Sequence, residues 1–205
     1  MKKSFSRVSG LVLAVAALAA VGGVQAQTTT STSRGMFAMS DRPVTYFGFG
    51  AGQTDYRLGN GSGLYGSDNR STAYNLSAGS YFTSNVGVEV GFTDFGRINR
   101  AGGQSRADGF NLSLVGKLPL APSFNVLGKI GTTYGRTEVS ALAGSGITPG
   151  RDVGFGLSLG LGAEYMVTKN WSGVLQYDVH DLRFAGGASD RDRIGVTTLG
   201  LRYTF

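Results

Sequence analysis

The 205-residue chain contains no cysteine, one histidine, one tryptophan and four prolines. Without cysteine there is no disulfide framework and no thiol for a lipid anchor at a cleavage point. A lone histidine and no cysteine leave no cluster with metal-ligand spacing, so no metal site and no bound cofactor are expected. Long apolar runs are equally scarce. One runs from Leu11 to Val21, too short to span a bilayer comfortably, since a spanning helix needs ~20 such residues. It follows Lys2, Lys3 and Arg7 and leads to Val24-Gln25-Ala26, the three-part pattern of a secretory leader. Residues 1–26 are therefore expected to be removed. No second apolar run follows, so no transmembrane helix is expected in the remainder.

Charge of one sign is also weak. The formal charge is +6, but three of the 19 Lys and Arg residues fall in the leader, leaving an excess of three over the 13 acids. No basic helix or run stands behind that excess, so a nucleic-acid partner is not expected. Helix-favouring stretches are few, whereas glycine is abundant at 34 residues, a balance that favours strands joined by flexible loops. The stretch from 27 to 43, with Thr28, Thr29, Thr30, Ser31, Thr32 and Ser33 in a row, has no apolar period and reads as a flexible lead-in. The domain is expected to occupy 44–205.

From Val44 onward the chain alternates apolar with small or polar residues and then breaks into turns. In Val153–Tyr165 one face carries Val153, Phe155, Leu157, Leu159, Leu161, Ala163 and Tyr165, and the other carries Gly154, Gly156, Ser158, Gly160, Gly162 and Glu164. A helix would mix the two sets; a strand separates them. The same test places strands at 44–56, 71–82, 86–96, 108–118, 124–137, 152–165, 171–183 and 193–205. Links at 83–85, 119–123 and 166–170 are short, and those near 57–70, 97–107, 138–151 and 184–192 are long. An even strand count with short turns on one side and long loops on the other predicts an all-β, eight-stranded antiparallel up-and-down transmembrane β-barrel, with short periplasmic turns and longer extracellular loops. Such a barrel is just wide enough inside for side chains, so glycine and serine point in while leucine, valine and phenylalanine face lipid. Two aromatic girdles are expected: Phe82, Phe124, Tyr165, Trp171, Tyr203 and Phe205 near the short turns, and Tyr56, Phe95, Phe110, Tyr134 and Phe155 near the long loops.

Three segments resemble the transmembrane domain of the outer membrane protein A family: Gly87-Val88-Glu89-Val90-Gly91-Phe92 running to Gly96-Arg97, Leu112 to Pro119 with Lys117, and Gly162-Ala163-Glu164-Tyr165 running to Leu175-Gln176-Tyr177. The ending Leu199 to Phe205 is similar to that family's last strand, and the resemblance implies that Tyr203 and Phe205 form the signal read by the barrel-assembly machinery, with periplasmic chaperones as earlier partners. It also implies residence in the outer membrane of a Gram-negative bacterium. Larger members carry a peptidoglycan-gripping domain; this chain stops at Phe205, so wall anchoring is not expected. The family pairs acids with bases inside its barrel, and Gln176 stands where one acid would be expected.

Inward positions include Glu89, Lys117, Lys129, Glu164, Asp178 and Arg202, three acids and three bases, which a narrow interior must pair. Glu89 and Lys117 lie at similar depth on neighbouring strands and are expected to pair directly, forming a plug; a gated ion path is the alternative. His180 is also inward. A lipid A-modifying enzyme built on it would want a serine two residues on, where Leu182 stands, so no catalytic residue is assigned. Gly48-Phe49-Gly50-Ala51-Gly52 and Gly156 to Gly160 lie in strands with no following helix to offer phosphate, so they are not nucleotide motifs. Arg57, Arg70, Arg97, Arg100, Arg106, Arg136, Arg151 and Arg183 lie at the outward ends, where guanidinium forks suit lipopolysaccharide phosphates, with ordinary loop solubility as the plainer reading. The function expected is a non-enzymatic barrel that supports the membrane and displays loops. The alternatives are an adhesin with a host or phage ligand, a lipid A-modifying enzyme and a small diffusion pore.

Overall fold

A computed structural model of the chain describes residues 39–56, 70–100, 103–141, 149–182 and 192–205. The chain divides into residues 1–33 and 34–205, and everything below concerns the second unit. Eight strands follow in order: β1 Met39–Tyr56, β2 Arg70–Thr83, β3 Val86–Arg100, β4 Gly103–Ala121, β5 Phe124–Ala141, β6 Gly150–Met166, β7 Trp171–Leu182 and β8 Asp192–Thr204. Each pairs antiparallel with the next, and β8 returns to β1 from Tyr46↔Thr204 to Tyr56↔Ile194, so the sheet is a closed barrel. Closure leaves no strand edge, which is the condition for burying backbone amides in hydrocarbon.

The short turns fall where the alternation stops. At the β2–β3 turn the Thr83 hydroxyl accepts from the amides of Asn85 and Val86, at 3.2 and 2.8 Å. At the β6–β7 turn the Thr168 hydroxyl does the same for Asn170 and Trp171, at 3.3 and 3.0 Å. Both are side-chain turns built from a hydroxyl two and three residues ahead of the amides it satisfies.

Several strands run further towards the long loops than the alternation suggests. The stretch near 97–107, expected as a loop, is a ladder from Arg97↔Arg106 to Arg100↔Gly103. Likewise β5 continues to Ala141 opposite a β6 that starts at Gly150, and β1 starts at Met39 rather than Val44. The period is hidden in β3 by a bulge: between Asp94↔Asp108 and Arg97↔Arg106, Phe95 and Gly96 oppose Ala107 alone. Gly96 has φ of 76°, a left-handed conformation natural to glycine. The Asp94 carboxylate accepts from the Gly96 amide at 2.9 Å, and the Thr54 and Tyr56 hydroxyls donate to the Phe95 carbonyl at 2.6 and 3.0 Å. The bulge shifts the phase by one, so Phe95 and Ile98 both point inward.

The outward face is aliphatic and exposed, as a lipid face must be. Leu112, Leu159, Leu161, Leu199 and Leu201 are all exposed, while Ser113, Ser158 and Thr198 next to them in sequence are buried. Near the long loops, Phe92↔Phe110↔Tyr134↔Phe155 are in register across four strands, with ring pairs at 5.0 and 4.9 Å. Near the short turns Trp171, Tyr203 and Phe205 pack edge-on at 5.0 and 5.1 Å. Two expected girdle members are misplaced: Tyr56 and Phe95 are buried in the lumen, because both occupy inward positions of their strands.

This separation of faces predicts that Leu159→Arg or Leu201→Arg costs roughly 2–4 kcal/mol of folding stability in lipid vesicles near the bilayer midplane. The inward Ser158→Asn should cost clearly less. Denaturant titration of the refolded variants checks it; equal losses on the two faces would reverse the orientation.

Candidate functional site

The lumen is filled by two layers of different chemistry. Towards the short turns, Glu89 of β3 is the hub, with only 1 % of its surface exposed. Lys129 Nζ of β5 donates to Glu89 Oε1 at 2.5 Å, and the Tyr46 hydroxyl of β1 donates to Oε2 at 2.7 Å. Arg202 of β8 approaches Oε2 at 3.6 Å through Nη2, while Nη1 donates to Glu164 Oε1 of β6 at 3.1 Å. Asn125 and Ser172 each donate to Glu164 at 2.9 Å. Four ionised groups from four strands thus form a neutral cluster in which each carboxylate has at least three partners. That is the arrangement under which a buried ionic group is tolerable.

Lys117 does not pair with Glu89. Its ammonium sits 4.5 Å over the Tyr81 ring, and Arg202 lies 4.1 Å over Tyr46, the two rings being 5.4 Å apart. Ladder register explains the correction: Glu89 lies opposite Ser113, four residues from Lys117, so similar depth estimated from strand ends fails once strands are staggered. Asp178 stands apart from the cluster and accepts from the Gln176 carboxamide of the same strand. The glutamine that replaces an expected acid therefore serves as that aspartate's donor.

Towards the long loops the lumen is apolar. Tyr56, Ala73, Phe95, Ile98, Ala107, Leu182, Ile194 and Val196 form one buried cluster. Tyr56 and Phe95 were expected in the outward girdle and Ile98 and Ala107 in a loop; the ladder and the Gly96 bulge turn all four inward. A band of hydroxyls and amides separates the two layers. Thr133 Oγ1 and His180 Nδ1 are 2.8 Å apart, with Phe95 packed edge-on against the imidazole at 5.1 Å. A luminal cavity of about 20 Å³ lined by Asn75, Ser77, Gln176 and Thr198 has room for about one water.

The serine sought for His180 is Ser158, directly opposite it in the β6–β7 ladder, rather than a residue two positions on; Leu182 belongs to the apolar layer. Yet the Ser158 hydroxyl has no hydrogen-bond partner among the described residues, and the imidazole engages Thr133 instead. Both side chains are buried between the layers.

The outer arginines divide. Arg106 pairs with Asp94 at 3.2 Å, and Arg136 and Arg151 both reach Glu138, at 3.9 and 3.5 Å. Arg193, which the sequence reading passed over, pairs with Asp181 at 3.3 Å. Arg70 and Arg97 are exposed and join no ion pair among the described residues. Arg57 and Arg183, and the side chain of Arg100, lie outside the described residues. At the opposite end Phe205 is 76 % exposed, with its amide donating to the Thr45 carbonyl at 3.0 Å.

Residues 14–205 match the outer membrane protein beta-barrel domain family. The chain belongs to that family. It is similar to outer membrane protein A of Yersinia pseudotuberculosis, 28 % identical over 144 residues, which cover 63 % of this chain and 40 % of that protein. The chain thus spans less than half of that relative's length. Among solved structures, neisserial surface protein A superposes with a TM-score of 0.58 at 17 % identity, covering 80 % of this chain and 96 % of that one. The attachment invasion locus protein Ail of Yersinia pestis gives 0.54 at 17 %, covering 79 % and 98 %. This is an outer-membrane protein of a Gram-negative bacterium, with the fold of the small eight-stranded barrels.

The ionic layer predicts that Glu89→Ala lowers the temperature at which the folded band converts to the unfolded one on gels, because Lys129 and Arg202 lose their shared partner. Breaking a buried pair costs ~3–5 kcal/mol, less where luminal water relieves it. Glu89→Ala with Lys129→Ala should recover part of that loss, and Glu89→Ala with Lys117→Ala should recover none. Equal recovery by both pairs would refute the assignment.

Proposed function

We propose that this barrel is non-enzymatic and closed to solutes, and that it serves as a scaffold that stabilises the outer membrane and holds its long loops at the surface. The observation that carries the reading is the double filling of the lumen: an ionic layer anchored on Glu89 and an apolar layer around Phe95 and Ile194. An ion crossing the barrel meets a charge cluster and then a mostly apolar layer with no charged group to replace its hydration shell. The layers act in series, so opening one leaves the other. The full chain in planar bilayers should show no steady conductance, and Glu89→Ala alone should add only rare small events. Glu89→Ala with Lys129→Ala, Phe95→Ala and Ile194→Ser should conduct steadily. Large steady conductance of the unaltered protein would instead favour a diffusion pore.

A second reading rests on Arg70 and Arg97. They sit on adjacent strands at the outer rim, where the Arg97 amide donates to the hydroxyl of Ser71 at 2.9 Å; neither forms an ion pair among the described residues, although Asp55 is the register partner of Arg70. Below them in the same strands lie the outward Tyr74 and Phe92. Guanidinium forks above an aromatic girdle suit the phosphates of lipopolysaccharide. Ail has been solved with the heparin analogue sucrose octasulfate, a small polyanion; that structure superposes with a TM-score of 0.53 at 17 % identity. The same rim is where a host polyanion would bind in the adhesin reading. Arg70→Ala with Arg97→Ala should reduce lipopolysaccharide retained on purification several-fold, and Arg136→Ala, whose charge already faces Glu138, should reduce it less. Indifference to both changes would remove the rim site. Assembly through Tyr203 and the exposed Phe205 remains part of the same proposal.

A further inference from the structure

Two outward glycines stand side by side on the lipid-facing wall. Gly116 of β4 is the register partner of Gly128 of β5. The row one step towards the long loops is filled by Leu114, Ile130 and Leu159, in register with one another. The row one step towards the short turns holds Leu118 and Val126. The glycine pair therefore leaves a gap among the aliphatic side chains around it. A Cβ placed on Gly128 would meet no atom within 4 Å, and one on Gly116 would meet only the Gly128 carbonyl oxygen at 3.9 Å. Val86 and Leu161 bound the gap along the row. Beyond Leu161, Tyr177 borders the depression from β7, with its hydroxyl 2.8 Å from where a Cβ on Gly195 of β8 would lie. The result is a depression of about 540 Å³ in a wall that closure makes convex elsewhere.

We infer that this depression is a binding site for one hydrocarbon chain of a phospholipid in the periplasm-facing leaflet. It lies within the lipid-contacting surface and is continuous with it. Gly128 is four residues above the start of β5, roughly 10 Å from the short-turn rim for a tilted strand, and so within hydrocarbon on that side. Lipid tails are as apolar as leucine, so transfer out of water supplies no drive here and contact must supply it. A convex wall touches a chain on one side; this trough touches it on its floor and both walls. Many small dispersion contacts then add up. A second barrel is the poorer occupant, because its convex wall cannot reach the glycine floor between Leu114, Ile130 and Leu161, whereas a single chain one methylene wide can.

The test uses the full chain extracted from membranes in mild detergent and supplemented with phosphatidylethanolamine, with native mass spectrometry counting retained phospholipid as detergent is exchanged. Gly128→Leu fills the trough without touching the lumen. Gly173→Leu is the matched control, an outward glycine of β7 whose Cβ position is equally free but lies outside the depression. The unaltered protein and Gly173→Leu should each keep one phospholipid. Gly128→Leu should keep about tenfold less, equivalent to about 1.4 kcal/mol. Heat-dependent gel mobility shows that each variant is folded. Equal retention by all three proteins overturns the proposal, as does retention of lipopolysaccharide in place of phospholipid. A dimer that only Gly128→Leu abolishes also overturns it and assigns the trough to a second copy.

Discussion

The fold depends on one constraint: in hydrocarbon, every backbone amide and carbonyl must find its partner within the protein. The β8–β1 ladder from Tyr46↔Thr204 to Tyr56↔Ile194 meets it by removing the last edge. Closure with eight strands then sets the interior width to that of the side chains themselves. Alternation acquires a fixed meaning, since one face must suit lipid and the other must fit a confined space. The outward leucines and the inward serines, threonines and glycines are two consequences of the same closure.

Confinement dictates what the lumen can hold. A charge there has little water to solvate it, so Glu89 draws on Lys129, Tyr46 and Arg202, while Glu164 draws on Arg202, Asn125 and Ser172. Lys117, left without a carboxylate, rests on the Tyr81 ring instead. Nearer the long loops the space is taken by aromatic and aliphatic side chains, which need no partners. The Gly96 bulge belongs to that solution: by shifting β3 one residue out of phase it brings both Phe95 and Ile98 inside. The hydroxyls of Thr54 and Tyr56 then satisfy the carbonyl exposed at the bulge.

The same geometry separates surfaces with different partners. Above the aromatic row, the outward ends of β3 to β6 carry arginines mostly neutralised by Asp94 and Glu138, and only Arg70 and Arg97 stand unpaired among the described residues. Below it, the wall is mostly aliphatic and aromatic, with a depression where Gly116 meets Gly128. That gap exists only because two glycines, one on each of two adjacent strands, share a register.

Strand number, closure and inward and outward faces were legible in the sequence, because a period of two is a local property that survives in any stretch of eight or more residues. Gln176 and Lys117 could be seen to be unusual or inward, but their partners could not be named. Pairing across a barrel depends on stagger, and stagger depends on how all eight strands tilt together; no single strand records it. For that reason Glu89 was assigned to Lys117 when it meets Lys129, and His180 was matched against Leu182 when Ser158 lies opposite. The bulge at Gly96 broke the local period and concealed the end of β3, and with it the inward place of Ile98. Which face a residue takes was written in the sequence; which residues meet across the lumen and along the wall was decided only when the ladder closed.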